Sequence, residues 1–343
     1  MQINKQWLND LLNDLLNDAH SLGASDIHLS PNKPPIFRIA GRLRSMNHFE
    51  NISPESIQTW FTDQLPQQHI QENQQVNFAF NHFDTEQRVR VTVYQTTSGT
   101  SLALRLLSKL PPAPTVLRQP KFLSQLSPFA KGLVLVTGPT GSGKSTTLAS
   151  WLNAAQMQHP AHFVTIEDPI EYEFPQGQGL VHQCELGAHF TNHESALSDV
   201  LRRDPDVILL GELRDLASIE LALRFAETGH LVLATLHSAN ATDAILRVVD
   251  VFPSTSRDFV RHVLSNVLLG VVAQRLLTCN TPTAHQGRIA NYEVLTNTSA
   301  VKNLIKEQKE AQLNSVMQTS ATHHMMTFEQ HQQELVSSGL LPR

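Results

Sequence analysis

The chain has 343 residues, 41% of them hydrophobic and 17% charged, with a formal net charge of −5. That length suggests about two domains with ordinary cores, and the acidic balance argues against a surface built to bind nucleic acid. Two cysteines, Cys184 and Cys279, exclude a disulfide framework and a four-thiolate zinc site, which fits a reducing compartment.

Trp7, Leu8, Leu11, Leu12, Leu15, Leu16 and Ala19 recur at helical spacing, with Asn and Asp opposite, and Gly23 follows as a stop. The pattern is amphipathic, unlike the basic start and apolar centre of a secretory leader. Residues 26–29, 36–39 and 88–94 alternate or are β-rich. Residues 1–108 therefore read as a small α+β domain with a mostly antiparallel sheet. Pro111, Pro112, Pro114 and Pro120 mark 109–120 as a linker, because proline at this density disfavours helix and central strand alike.

Beyond it, apolar runs at 133–136, 163–166, 207–210 and 231–235 alternate with helical stretches. Such runs predict a parallel sheet covered on both faces, in a core set at 121–290. A helical C-terminal segment is set at 291–343, with helices predicted over 259–277, 300–310 and 328–337. The apolar stretch 263–277 is interrupted by Ser265, Asn266, Gln274 and Arg275, too short and too polar to span a bilayer. The 17 histidines are scattered, and His323-His324 reads as a solvated loop.

The strand at 133–136 runs into Gly138, Pro139, Thr140, Gly141, Ser142, Gly143, Lys144 and Ser145, and a helix-like segment follows from Thr146. This is the G-x-x-x-x-G-K-[ST] spacing in its strand–loop–helix setting. Glycines let backbone N–H groups turn inward around phosphates, and the helix aims its N-terminus at their charge. Lys144 suits the β- and γ-phosphates of a nucleotide and Ser145 suits Mg²⁺.

Three later strands end in reactive groups, where ligands of parallel sheets collect. Residues 163–166 lead into Glu167, Asp168 and Glu171, carboxylates that can activate water or hold Mg²⁺ through water. Residues 207–210 lead into Gly211 and Glu212, a Walker-B-like ending with Gly211 in the usual Asp position. Glu212 is then left with the magnesium or water role. Residues 231–236 lead into His237, an imidazole placed to sense the γ-phosphate.

In this order and spacing the motifs resemble the secretion ATPase superfamily of type II secretion and type IV pili. GPTGSGKSTTLA at 138–149 is similar to its Walker A box and TIEDPIEY at 165–172 to its Asp box. LRRDPDVILLGELRD at 201–215 resembles its Walker B box and AETGHLVLATLHS at 226–238 its His box. The resemblance extends from ASDIHL at 24–29 to the C-terminal helices. It implies a PAS-like α+β domain followed by a RecA-like P-loop ATPase domain, in a hexameric motor using ATP and Mg²⁺. ATP would sit between the domains, and Arg90 and Arg105 match the arginines that the N-terminal domain supplies to the phosphates. A guanidinium suits that role because it stays charged and pairs bidentately with phosphate oxygens. The short N-terminus, the lack of a paired C-x-x-C module and AVKNLIKE at 300–307 resemble the retraction, or PilT-like, branch. So do Met317-Gln318-Thr319 and Met326-Thr327-Phe328.

The branch implies a cytoplasmic ring attached peripherally to the inner membrane through a pilus platform protein, with a paralogous pilus ATPase as a second partner and no nucleic acid. Departures are Lys302 and Lys306 where the branch has arginine, Cys184 where the family often has arginine, and no arginine in Ala196-Leu197-Ser198-Asp199. These keep alive an idle ring subunit that binds ATP and modulates another motor. An assembly or export motor also fits the motifs. A DNA-translocating motor is disfavoured by the acidic balance.

Overall fold

A computed structural model describes residues 5–39, 41–64, 76–82, 87–107, 110–186, 189–190, 196, 199–279 and 287–342. The chain divides into two compact units, Met1–Leu110 with Pro169–Glu173, and Pro111–Asp168 with Phe174–Arg343.

The first unit contains α1 (Lys5–Ser21), β1 (Ala24–Leu29), β2 (Ile36–Ile39), β3 (Arg42–Ser45), α2 (Pro54–Gln64), β4 (Val76–Asn81), β5 (Arg88–Thr96) and β6 (Gly99–Leu107). Its strands lie in the order β3-β2-β1-β6-β5-β4, and all the pairings are antiparallel. Gly23 adopts φ 63°, the left-handed turn that ends α1 and starts β1. Val89, Val91 and Val93 alternate along β5 onto one face, where Leu102 and Leu104 of β6 join them. Leu15, Leu16 and Ala19 of α1 and Ile57 of α2 complete that core. Each such burial contributes roughly 1.5–3 kcal/mol before the entropy of ordering is charged against it. The opposite face is left for polar residues.

The second unit contains α3 (Lys121–Ser124), β7 (Gly132–Thr137), α4 (Lys144–Gln158), β8 (His162–Glu167), β9 (Leu180–Glu185), β10 (Val207–Leu210), α5 (Leu216–Glu227), β11 (Leu231–Leu236), α6 (Ala241–Asp250), α7 (Arg257–Val267), β12 (Leu268–Thr278), β13 (Arg288–Thr296), α8 (Ser299–Lys306), α9 (Leu313–Thr319) and α10 (Phe328–Ser337). The strand order is β13-β12-β7-β11-β10-β8-β9, parallel except for β13, which runs antiparallel to β12. The central strands are buried on both faces because alternate residues serve different cores. Leu133, Leu135, Ile208 and Val232 pack with α5, α6 and α7, whereas Val134, Val136, Leu209 and Leu233 pack with Leu148, Trp151 and Leu152 of α4.

The structure corrects the C-terminal expectation. The predicted helix over 259–277 is half helix and half strand: α7 stops at Val267 and β12 runs on to Thr278. The boundary set at 290 falls inside β13. A run buried on all sides has no periodicity to separate helix from strand. Here Val271 and Val272 favour the strand, and Gly270 lets β12 pass close to Phe122, whose ring would lie 2.6 Å from an added Cβ.

α10 lies against β13 and carries a buried imidazole. His331 Nδ1 accepts the Tyr292 N–H at 3.0 Å, and burial lowers its pKa from 6.5 to about 4. The folded state therefore binds fewer protons than the unfolded chain between those values. Stability is complete above pH 6.5 and is lost as pH falls toward 4, by about 3 kcal/mol from this group. The slope of unfolding stability between pH 7 and 4 should flatten in His331→Asn, whose amide oxygen can still accept the Tyr292 N–H. An unchanged slope would assign the acid sensitivity elsewhere.

Candidate nucleotide-hydrolysis site

The loop between β7 and α4 is shaped by its glycines. Gly138, Gly141 and Gly143 have φ of 148°, 77° and 89°, values that L side chains rarely adopt. A Cβ on Gly138 would lie 2.1 Å from the Gln274 carbonyl oxygen, and one on Gly143 would lie 2.9 Å from Gln274 Nε2. The loop is thus pressed against β12 and opens the other way. Ser142 Oγ is buried with no hydrogen-bond partner, a polar atom held ready in the cradle. Ser145 is exposed and Thr146 half-buried in the first turn of α4, where the helix dipole favours an anion. Pro139 and Thr140 form the exposed tip.

Lys144 is 7% exposed. Its Nζ donates to the carbonyls of Gly138 (2.9 Å) and Pro139 (3.1 Å) and lies 3.4 Å from His237 Nδ1. His237 follows β11, and its Nε2 is 3.1 Å from Glu212 Oε1. An ammonium can only donate, so Nδ1 accepts and the neutral ring carries its proton on Nε2, facing the carboxylate. Glu212 Oε2 accepts from Arg214 Nε at 2.8 Å, and that hydrogen bond raises the arginine's pKa. Arg214 Nη1 is also 3.6 Å from Asp168 Oδ2. A polar line therefore runs Lys144, His237, Glu212, Arg214, Asp168 across the ends of four strands.

The line is braced from behind. Arg247 Nη1 donates to the His237 carbonyl at 3.0 Å, and Thr137 Oγ1 takes the Ser238 N–H at 2.9 Å. Buried Glu293 of β13 accepts the Ala241 N–H at the start of α6 at 2.8 Å, and burial pushes its carboxyl pKa up. Gly211 stands where an aspartate was expected because β8 crowds it. An added Cβ would lie 3.2 Å from the Ile166 carbonyl oxygen and 3.4 Å from Glu167 Cα. Glu167 itself accepts from Thr165 Oγ1 (2.7 Å) and Gln183 Nε2 (3.2 Å).

In the first unit, Arg90 and Arg105 are directly opposite each other in the β5–β6 register, and Asp26 of β1 is opposite Arg105. Asp26, 8% exposed, accepts from Arg105 Nε at 2.9 Å, and Arg90 Nη1 lies 3.9 Å from Glu171 Oε1. Like charges opposite each other on a sheet repel, and each of these guanidiniums has a carboxylate beside it that offsets the cost. Sequence reasoning found both arginines but not the aspartate that orients one of them.

Cys184 is buried on β9, where Arg203 Nη1 donates to its sulfur at 3.4 Å while Arg203 Nε binds Asp199 at 2.8 Å. Leu197 and Ser198 lie outside the described residues. Lys306 is exposed on α8 and Lys302 is half-buried.

No three His, Cys, Asp or Glu side chains gather as a metal cage among the described residues. The available donors are a hydroxyl, Ser145, and a carboxylate, Glu212. Oxygen donors in this number suit Mg²⁺, which keeps its waters and leans on substrate phosphates. A glycine loop at the end of a central parallel strand, with an invading lysine and a carboxylate–histidine pair on neighbouring strands, defines a P-loop ATPase with a RecA-like core. The chain belongs to the type II/IV secretion system protein family, whose match covers residues 2–341. The twitching motility protein of Neisseria gonorrhoeae is 40% identical over 310 residues, 90% of this chain and 82% of that one. The type IV pilus retraction ATPase PilT of Pseudomonas aeruginosa is 38% identical over 323 residues, 94% and 92% of the two chains. The crystal structure of the pilus retraction motor PilT with bound ADP superposes with a TM-score of 0.84 at 39% identity, covering 96% of this chain and 94% of that one. Among the described residues no helix is long and apolar enough to cross a membrane.

Proposed function

We propose that this chain is the subunit of a hexameric, Mg²⁺-dependent ATPase motor that powers pilus retraction. It would work in the cytoplasm at the inner membrane, held there by a pilus platform protein and alongside a paralogous pilus ATPase. The observation that carries the catalytic reading is the line of close polar contacts from Lys144 through His237 to Glu212. The likeness to the retraction motors supports the direction of work.

In this scheme the loop amides of 138–146 hold the phosphates, and the Lys144 ammonium exchanges its carbonyl partners for phosphate oxygens. Ser145, with Glu212 acting through water, is assigned to Mg²⁺, which when bound neutralises phosphate charge. Glu212 polarises the attacking water. Its Oε2 already accepts from Arg214 Nε and its Oε1 lies 3.1 Å from His237 Nε2, and each oxygen keeps a lone-pair site for water. Glu167, one of the carboxylates the sequence offers for activating water, orients that water. The water oxygen bonds to the γ-phosphorus, the bond to the ADP oxygen breaks, and the water proton passes to the carboxylate. His237 links Glu212 to Lys144, so that occupancy of the γ-phosphate position is felt by the base. Arg90 and Arg105 are assigned to phosphate contact, supported by their adjacency and by the orienting carboxylate of Asp26. The Pro-rich stretch 109–120 is proposed to join the working domains.

Glu212→Gln keeps the size and loses the base. We expect turnover to fall about 10²–10³-fold. Glu167→Gln, assayed beside it, should fall less, and a larger loss there would move the base to Glu167. ADP binding by wild-type rings without turnover would replace the motor with an idle regulatory subunit.

A further inference from the structure

Gln274 interrupts the apolar run of β12 and has no place in the scheme above. Its side chain is 3% exposed, yet both ends of its amide are engaged. Nε2 donates to the Ser142 carbonyl at 2.6 Å, and Oε1 accepts from Thr147 Oγ1 at 2.7 Å. One end therefore grips the phosphate loop and the other the first turns of α4. Its backbone carbonyl abuts Gly138 and its Nε2 abuts Gly143, so the loop has no room to shift toward β12.

A trans peptide is planar, with C=O and N–H pointing in opposite directions. Anchoring the Ser142 carbonyl on β12 therefore turns the Gly143 N–H away from β12, into the open side of the loop. That N–H belongs to the residue just before Lys144, where a phosphate-binding loop needs an inward donor. Glycine at 143 makes the orientation soft, because the residue can also adopt the flipped conformations. A buried amide fixed at both ends supplies the missing constraint.

We propose that Gln274 is a positioning residue for nucleotide binding: its side-chain amide sets the Ser142–Gly143 peptide so that the Gly143 N–H faces the phosphates, and ties that peptide to α4. The proposal rests on the P-loop site described above. It predicts that Gln274 acts on nucleotide affinity beyond its share in folding. Substitution by Met keeps the length and removes both hydrogen bonds. Substitution by Glu keeps an acceptor for Thr147 but sets oxygen against the Ser142 carbonyl, which favours the flipped peptide.

The test is the Kd for ADP of the full chain, from a fluorescent ADP analogue, together with thermal melts with and without ADP. We expect about a tenfold rise in Kd for Gln274→Met and a larger one for Gln274→Glu, with about threefold for Thr147→Val, which leaves the grip on Ser142 in place. The ADP-induced rise in Tm should shrink in the same order. Equal losses of Tm with and without ADP, at unchanged Kd, would leave Gln274 a packing residue and overturn the proposal. A Thr147→Val defect as large as that of Gln274→Glu would also overturn it, since the anchor on Ser142 would then be irrelevant. If wild type fails to bind ADP, the nucleotide site itself falls, an outcome distinct from a defect confined to the Gln274 variants.

Discussion

Lys144→Ala is expected to lower kcat/KM for ATP by at least about 10³-fold. The reason is local. Lys144 is 7% exposed and its Nζ lies within hydrogen-bond distance of the Gly138 and Pro139 carbonyls and of His237 Nδ1. Removing it deletes the positive charge that phosphates require and takes a donor from each of those three acceptors, of which the Pro139 carbonyl keeps the Ser142 N–H at 3.2 Å. His237 then loses the partner that fixes its tautomer, and with it the directed N–H toward Glu212. The loss should appear in binding and in chemistry together, whereas the Glu212→Gln defect falls mainly on the chemical step. Steady-state turnover and the ADP-induced rise in Tm measure the two parts. Because the alanine is a good helix former at the start of α4, the variant should melt cooperatively without ADP. Unchanged turnover in a folded variant would remove Lys144 from the reaction and the P-loop assignment with it.

The strands that carry this site were legible because they are short, apolar and bounded by polar groups. Residues 133–136, 163–166, 207–210 and 231–235 all fall inside β7, β8, β10 and β11. The reactive ends were legible for the same reason: a carboxylate or imidazole directly after a buried strand stands out. β12 was not legible. Its run LLGVVAQRLL is apolar enough for either element, and only pairing with β7 and β13 decides it. That error also hid Gln274, which looked like a polar break in a helix. Its partner Ser142 is 132 residues away, and no local pattern links them. Asp26 was hidden differently. It lay inside a quoted motif, ASDIHL, but its role needs the register that sets it opposite Arg105, 79 residues on.

The departures from the family pattern are legible as letters and acquire meaning only through packing. Cys184 is not an open position: it is 4% exposed and receives a hydrogen bond from Arg203. A guanidinium thus already approaches this part of β9 from a different element, the turn before β10. Gly211 carries the same lesson. The sequence reads it as a missing carboxylate, whereas the fold leaves little room for a Cβ where β10 emerges beside Ile166 and Glu167.

The largest stability effect is expected away from the nucleotide, at Arg261 of α7. Its guanidinium pairs with Glu310, in the short 3-10 turn Glu310–Gln312, and the two side chains are 11% and 6% exposed. Ions this deep lose most of their hydration, and only each other's charge offsets the loss. Arg261→Met strands the carboxylate and should destabilise the second unit by about 3–5 kcal/mol. Glu310→Leu should cost a similar amount by stranding the guanidinium. Joining Arg261→Met to Glu310→Leu removes both charges and should recover most of the loss, because the penalty lies in the unpaired ion and not in the missing attraction. Urea unfolding of the four proteins, followed by the fluorescence of Trp151 in a background lacking Trp7 and Trp60, measures the cycle. Additive losses in the double variant would mean that the residues act through separate contacts. A single-variant loss below about 1 kcal/mol would mean that water reaches the pair, as it does at surface bridges of that size.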